Sequence, residues 1–178
     1  MVEITYQMAL STLQTAGILV GIVYYITIMR NQQKTRELTL KAQELTLETR
    51  QAQLFMQIYG QWNTMEFGRQ YEKSMRMEWT DFDDFNEKYL GDIETYTAWR
   101  MMARFFEGIG VLVQRGLIDV TLVDDLMSGE TMRFWERFQP LVEEMRARLN
   151  WPQAVEWVEY LYEQVRLIAE EQHPELRQ

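Results

Sequence analysis

The densest group of residues that could do chemistry is a run of carboxylates between positions 81 and 92. It reads Asp81-Phe-Asp-Asp-Phe-Asn-Glu87 and continues to Asp92. Several side-chain oxygens at short spacing are what a hard cation such as Ca²⁺ requires. However, Phe85 stands at the third ligand position of the helix–loop–helix calcium motif, and the central glycine of that motif is missing. We therefore predict that these carboxylates cap the start of a helix and bind no metal.

The sequence lacks the residues that other catalytic sites and cofactor sites need. Cysteine is absent and the single histidine is His173, which excludes thiolate metal sites and a Ser-His-Asp triad. None of the four lysines follows a glycine, so the chain has no phosphate-binding loop. Gly108-Ile-Gly110 lies inside a predicted helix and does not follow a strand, which favours close helix packing over dinucleotide binding. The sequence therefore predicts that the protein is not an enzyme and binds no cofactor.

The charge of the chain excludes a further class of partner. Residues 51–178 contain 13 basic and 23 acidic side chains. An excess of acidic side chains repels a phosphate backbone. We therefore expect no nucleic-acid partner.

The elements that must position any site begin with a segment free of charge. No acidic or basic residue occurs from Ile4 to Met29, and residues 9–29 are mostly apolar. A bilayer core needs about 20 apolar helical residues, so residues 1–30 are predicted to be a transmembrane anchor. A secretory signal peptide would have a basic start and a shorter apolar run, whereas Glu3 precedes this one.

Basic residues follow the anchor directly. Arg30, Lys34 and Arg36 come just after it, and basic residues are retained on the cytoplasmic side. We therefore predict a single-pass protein of the cell membrane, with its N-terminus outside and its C-terminal domain in the cytoplasm. The same three side chains are predicted to contact lipid headgroups.

The anchor carries one polar stripe at spacings of three and four residues. Its members are Gln7, Ser11, Gln14, Gly17 and Gly21. Glycines four residues apart let two helices approach closely, and a glutamine amide that faces lipid is costly unless it is paired. The stripe therefore indicates packing against another transmembrane helix. The alternative is the lining of a pore.

Residues 31–60 are predicted to form a long juxtamembrane helix with a seven-residue repeat. Glu37-Leu-Thr-Leu40 recurs as Glu44-Leu-Thr-Leu47. The leucines fall on two nearly opposite faces: Leu38 and Leu45 on one, and Leu40, Leu47 and Leu54 on the other. Because a simple two-stranded coiled coil has one apolar seam, two seams predict two neighbouring helices. These are copies of the chain, or one copy and the chain's own domain. The alternative is a helix that packs only into its own domain and needs no second copy.

Residues 61–178 are predicted to form an acidic helical domain, so the fold class is all-α. We expect a helix from Gln61 to Met77 and a second, capped at Thr80, that ends near Tyr89. A third lies between Gly91-Asp92 and Arg115-Gly116, and a fourth, capped at Asp119, ends before Ser128-Gly129. A fifth covers Glu130 to Leu149, and the last begins at Asn150-Trp151-Pro152.

Two stretches of this domain carry a family resemblance. They are residues 104–119, which read RFFEGIGVLVQRGLID, and residues 135–140, which read WERFQP. They resemble the core of an uncharacterised prokaryotic family of short proteins, and the similarity covers about residues 90–165. The resemblance implies one N-terminal transmembrane helix and a helical cytoplasmic domain, and it implies no activity.

These observations favour a non-enzymatic assembly or scaffold protein that forms homo-oligomers through its transmembrane and juxtamembrane helices. Its expected partners are membrane lipid, further copies of the chain and other membrane proteins. Two alternatives stay open. One is a small oligomeric cation channel lined by the polar stripe, and the other is an accessory subunit of a larger membrane complex.

Overall fold

The structure, a computed structural model, describes residues 6–172. Those residues form α-helices and no strand, so the predicted all-α class is confirmed. Glu3 and His173, on which part of the sequence analysis depended, lie outside the described residues. Six helices are described: α1 (Tyr6–Trp62), α2 (Met65–Met75), α3 (Phe82–Tyr89), α4 (Ile93–Gln114), α5 (Val120–Leu149) and α6 (Glu156–Gln172).

The chain divides into two compact units, Met1–Thr49 and Arg50–Gln178. In the first unit every described residue belongs to α1. The second unit, which we call the helical domain, begins with the last turns of α1 and contains the other five helices. Phe55 is fully buried there. The end of α1 is therefore part of the core of the helical domain.

α1 ends later than the sequence indicated, and α2 begins after a short break. A single helix from Gln61 to Met77 was expected, but α1 continues to Trp62 and α2 starts at Met65. Thr64 caps α2, and its hydroxyl accepts a hydrogen bond from the Phe67 N–H at 3.3 Å. The prediction missed this break because Trp62 and Met65, on either side of it, keep the three-residue spacing of one helix face.

The starts of α3 and α4 are both set by aspartate caps. Asp81, and not Thr80 as predicted, caps α3, because its carboxylate accepts the Asp84 N–H at 2.9 Å. Asp92 caps α4 through the Thr95 N–H at 3.1 Å, as Gly91-Asp92 indicated. α4 ends before Gly116, whose φ of +66° is the left-handed conformation that glycine adopts without strain.

α5 is one helix of 30 residues, so the predicted stop at Ser128-Gly129 is wrong. Met127 and Thr131, on either side of the glycine, are both buried. The Gly129 carbonyl also accepts a hydrogen bond from Arg133 Nε at 3.1 Å. Packing at these positions outweighs the cost of about 1 kcal/mol that a glycine adds inside a helix.

The last helix begins later than predicted, because residues 150–155 form a turn. Asn150 and Val155 both have positive φ, 49° and 58°. Arg146 Nε donates to the Ala154 carbonyl at 2.8 Å and so holds the turn against the end of α5. α6 starts only at Glu156 and packs on α4 and α5.

The core of the helical domain is mostly aromatic. Trp62 at the end of α1 stacks on Phe105 of α4, with ring centroids 5.5 Å apart. Phe134 links Phe106 to Phe138, at 5.0 and 4.8 Å. Each such pair adds about 0.5–1.5 kcal/mol beyond its buried area. The rings therefore connect α1, α4 and α5 within one continuous core.

Candidate functional site

The apolar N-terminal part of α1 is exposed along its length. An 18-residue window of this helix has a mean hydropathy of 1.6, and none of the window is buried. Apolar side chains such as Leu13 and Val20 are 76% and 70% exposed. A contiguous apolar surface of this kind marks a membrane or protein contact. Within residues 6–172, this is the one helix long and apolar enough to cross a membrane.

Three threonine hydroxyls in this part of α1 are satisfied by the helix itself. Thr12, Thr15 and Thr27 donate to the carbonyl four residues earlier, at 2.8–2.9 Å. These threonines can therefore face lipid without an unpaired donor.

The polar stripe of the sequence analysis lies on the same exposed surface. Gln7, Ser11 and Gln14 are exposed. A Cβ added at Gly17 or Gly21 would meet no atom within 4 Å. The two glycines therefore leave a shallow notch in the helix surface, where a second helix could approach closely.

Four of the five leucines in the repeat are exposed. Leu38, Leu40, Leu45 and Leu47 are each about 60% exposed, and they lie in the first unit. Leu54, by contrast, is partly buried against the core of the helical domain. The basic residues Arg30, Lys34 and Arg36 are exposed as well.

The carboxylates of the acidic stretch are engaged with neighbouring groups. Asp84 accepts the Thr80 N–H and Lys88 Nζ, each at 2.8 Å, and the hydrogen bond from Lys88 is the main cause that lowers the pKa of Asp84. Asp83 pairs with Arg148 at 2.6 Å. In the part of the chain that the structure describes, no three acidic or histidine side chains are placed to hold a metal ion.

A groove in the helical domain has no counterpart in the sequence predictions. It lies between α4 and the turn that precedes α6, with a volume of about 650 Å³. Its lining includes Tyr96, Arg100, Arg104, Glu107, Trp151 and Trp157. The sequence signal for it was the spacing of Arg100, Arg104 and Glu107 along one side of α4. The spacing alone did not predict a groove, because the groove also needs the turn that faces these residues.

Glu107 lines this groove and contacts the first turn of α6. Its side chain is half-buried, and it accepts a hydrogen bond from the Trp157 N–H in the first turn of α6. Burial, with a smaller contribution from Glu156, raises the pKa of Glu107 to about 6. The carboxylate thus serves as a cap for α6 that comes from another helix.

Gly110 lies one turn beyond Glu107 on α4, where the backbone of α6 approaches most closely. A Cβ added at Gly110 would lie 2.1 Å from the Trp157 carbonyl oxygen. The same addition at Gly108 would meet nothing within 4 Å. The predicted role of the Gly108-Ile-Gly110 segment in close packing therefore applies to Gly110.

Comparison with known families identifies one match. A family described as a domain of unknown function, DUF4760, matches residues 11–165. The chain belongs to the DUF4760 family. The predicted membership in an uncharacterised family is confirmed, and the DUF4760 match extends beyond residues 90–165 to include most of α1. No curated protein and no solved structure matches the chain.

Proposed function

We propose that this DUF4760 chain is a non-enzymatic, single-pass protein of the cell membrane that assembles with copies of itself through α1. One observation carries the proposal: the apolar window of α1 is wholly exposed. Such a surface is stable in lipid or against another helix and unfavourable in water.

The orientation in the membrane is proposed from the charges that flank this window. Arg30, Lys34 and Arg36 are exposed, and they follow a segment that contains no charge. Because basic residues are retained on the cytoplasmic side, the helical domain would lie inside the cell. Anionic headgroups add about 1 kcal/mol of attraction for each basic residue near the membrane surface.

Assembly is proposed from the two kinds of unpartnered surface on α1. The notch at Gly17 and Gly21 suits helix contact inside the bilayer. The exposed leucines at positions 38, 40, 45 and 47 suit contact outside it, on two faces of the helix. A helix with two apolar faces is covered when it has a neighbour on each side. The helical domain would then present its acidic surface to other membrane proteins.

The mass of the full chain in lipid nanodiscs tests this proposal. We expect more than one copy in each particle, and fewer copies when Gly17→Ile and Gly21→Ile together fill the notch. The control carries Leu19→Ile and Val23→Ile on the opposite face, and should retain the mass of the unmodified chain. A chain that is strictly monomeric in nanodiscs would contradict the proposal.

A second candidate function, a small oligomeric cation channel, is favoured by the exposed polar stripe. Gln7, Ser11 and Gln14 are exposed on α1, and a ring of such helices would direct them toward a common axis. The check is the conductance of reconstituted bilayers. A channel requires a current that Gln14→Leu alters, and the absence of current removes this candidate.

The third candidate, an accessory subunit of a larger membrane complex, uses the same surfaces with foreign partners. Purification from native membranes with a mild detergent separates it from a homo-oligomer. Stoichiometric recovery of another membrane protein would favour the accessory role, and recovery of this chain alone would favour self-assembly.

A further inference from the structure

Two arginines line the groove of the helical domain. Arg100 and Arg104 lie on successive turns of α4 and are exposed, and neither pairs with a carboxylate of residues 6–172. Elsewhere in the domain basic side chains are commonly paired: Lys73 contacts Glu94 at 2.6 Å, and Arg146 contacts Glu159 at 2.7 Å. Two adjacent guanidinium groups can donate several hydrogen bonds to one anion.

Aromatic side chains provide flat walls beside these arginines. The guanidinium carbon of Arg100 lies 5.7 Å from the centre of the Tyr96 ring. Trp151 also lines the groove, and 55% of its surface is exposed. A large exposed indole beside two cations is suited to an aromatic or apolar group that carries negative charge.

Carboxylates also line the groove, which limits the charge of a ligand. Glu107 lies three residues after Arg104 and seven after Arg100, about 4.5 Å and about 10 Å along the helix axis. Glu156 raises the pKa of Glu107, which places the two carboxylates close enough to repel each other. A second negative charge on a ligand would meet the same repulsion there.

The turn that closes the groove is held in an unusual conformation. Val155, a β-branched residue, has φ of 58°, in the left-handed region that such residues rarely adopt. Strained residues of this kind are concentrated at ligand sites. Arg146 holds the turn by donating a hydrogen bond to the Ala154 carbonyl. The aromatic wall is therefore preformed.

We propose that this groove binds a small organic monoanion with a flat apolar body. Its carboxylate lies between Arg100 and Arg104, and its body lies against Trp151 and Tyr96. The volume of about 650 Å³ falls within the range of about 300–1,000 Å³ that small-molecule sites occupy. This site is separate from the surfaces of α1, so the inference does not depend on the proposed function.

Calorimetric titration of the full chain in nanodiscs of zwitterionic lipid tests the site, with the heat of empty nanodiscs subtracted. The probe is naphthoate, and the matched neutral probe is naphthamide. We expect naphthamide and the dianion of naphthalene dicarboxylic acid each to bind at least tenfold more weakly than naphthoate. Arg100→Gln with Arg104→Gln should also weaken naphthoate binding at least tenfold.

The control variant is Arg115→Gln, because Arg115 is an exposed arginine of the same domain outside the groove. It should bind naphthoate as the unmodified chain does. A circular dichroism melt that is unchanged in the double variant shows that its loss of binding is not a loss of fold. Arg100→Lys with Arg104→Lys, which keeps the charge, should retain part of the affinity.

Three results would overturn the proposal. The first is equal binding of naphthoate and naphthamide, since the arginines would then contribute nothing. The second is naphthoate binding that the double variant leaves unchanged. The third is binding of an acidic tryptophan-containing peptide without any binding of naphthoate, which would assign the groove to a protein partner.

Discussion

At the scale of single residues, the contact between α4 and α6 is the most sensitive point of the helical domain. Gly110 touches the Trp157 backbone, and Glu107 accepts the Trp157 N–H. The two contacts are one helical turn apart on α4. They position α6 in two different ways, by steric fit and by a hydrogen bond, and each can be changed alone.

Gly110→Ala should destabilise the helical domain by about 1–3 kcal/mol, because its Cβ would overlap the Trp157 carbonyl and force the helices apart. Gly108→Ala is the matched control. It adds a methyl group where nothing lies within 4 Å, so it should stabilise the domain by about 0.5–1 kcal/mol. Urea unfolding followed by tryptophan fluorescence measures both, since all six tryptophans lie from Trp62 onward. Equal effects of the two variants would contradict the contact.

Glu107→Gln should change how stability depends on pH. Burial raises the pKa of Glu107 from 4.5 to about 6 in the folded chain, so the folded state binds this proton more tightly than the unfolded state does. The contribution of Glu107 to the free energy of unfolding is therefore present below pH 4.5 and is lost as pH rises through about 6.

The measurement is urea unfolding of both chains between pH 4 and pH 8. The free energy of unfolding of the unmodified chain, relative to that of Glu107→Gln, should fall between about pH 4.5 and pH 6 and stay constant at higher pH. A difference that is independent of pH, or that rises with pH, would show that Glu107 is not held in this environment.

At the scale of elements, the sequence predicted those helix ends that local chemistry decides. Both boundaries of α4 were predicted, because an aspartate cap and a left-handed glycine act within a few residues. The stop predicted at Ser128-Gly129 failed, since burial of Met127 and Thr131 depends on distant residues. Local signals set helix ends where tertiary packing does not oppose them.

The groove could not be predicted for the same physical reason. Glu107 and Trp157 are 50 residues apart in sequence, and their contact depends on the turn with Val155 at positive φ. No sequence pattern indicates that a valine adopts this conformation. The leucine repeat continues regularly to Leu54, which packs against the domain core, and the chain's own domain was one of the neighbours that the two leucine faces predicted.

The exposed leucines of α1 give a prediction at this scale. If each face contacts the same face of a neighbouring copy, Leu38→Ala with Leu45→Ala should remove one contact and leave the other. The same holds for Leu40→Ala with Leu47→Ala. Each pair alone should reduce the assembly to a dimer, and both together should weaken it to a monomer.

Native mass spectrometry of the full chain released from detergent micelles measures these states. The control is Leu126→Ala with Leu167→Ala, two exposed leucines of the helical domain, which should leave the mass unchanged. Assemblies of unchanged mass in both stripe variants would show that the leucines make no contact between copies.

At the scale of the whole molecule, the chain combines two units that suit different surroundings. All described residues of the first unit lie on α1, and its apolar window is unburied. The second has a dense aromatic core and an acidic composition. An exposed apolar helix is what a membrane anchor requires, and a buried core is what the domain attached to it requires.

The proposed function requires that α1 crosses the membrane once, with the helical domain inside the cell. Because the chain has no cysteine, a single introduced cysteine is its only thiol. We predict that a membrane-impermeant maleimide labels Val2→Cys in intact cells, and labels Gln172→Cys only after the membrane is permeabilised. Labelling of both positions from outside, or protection of both, would contradict the account.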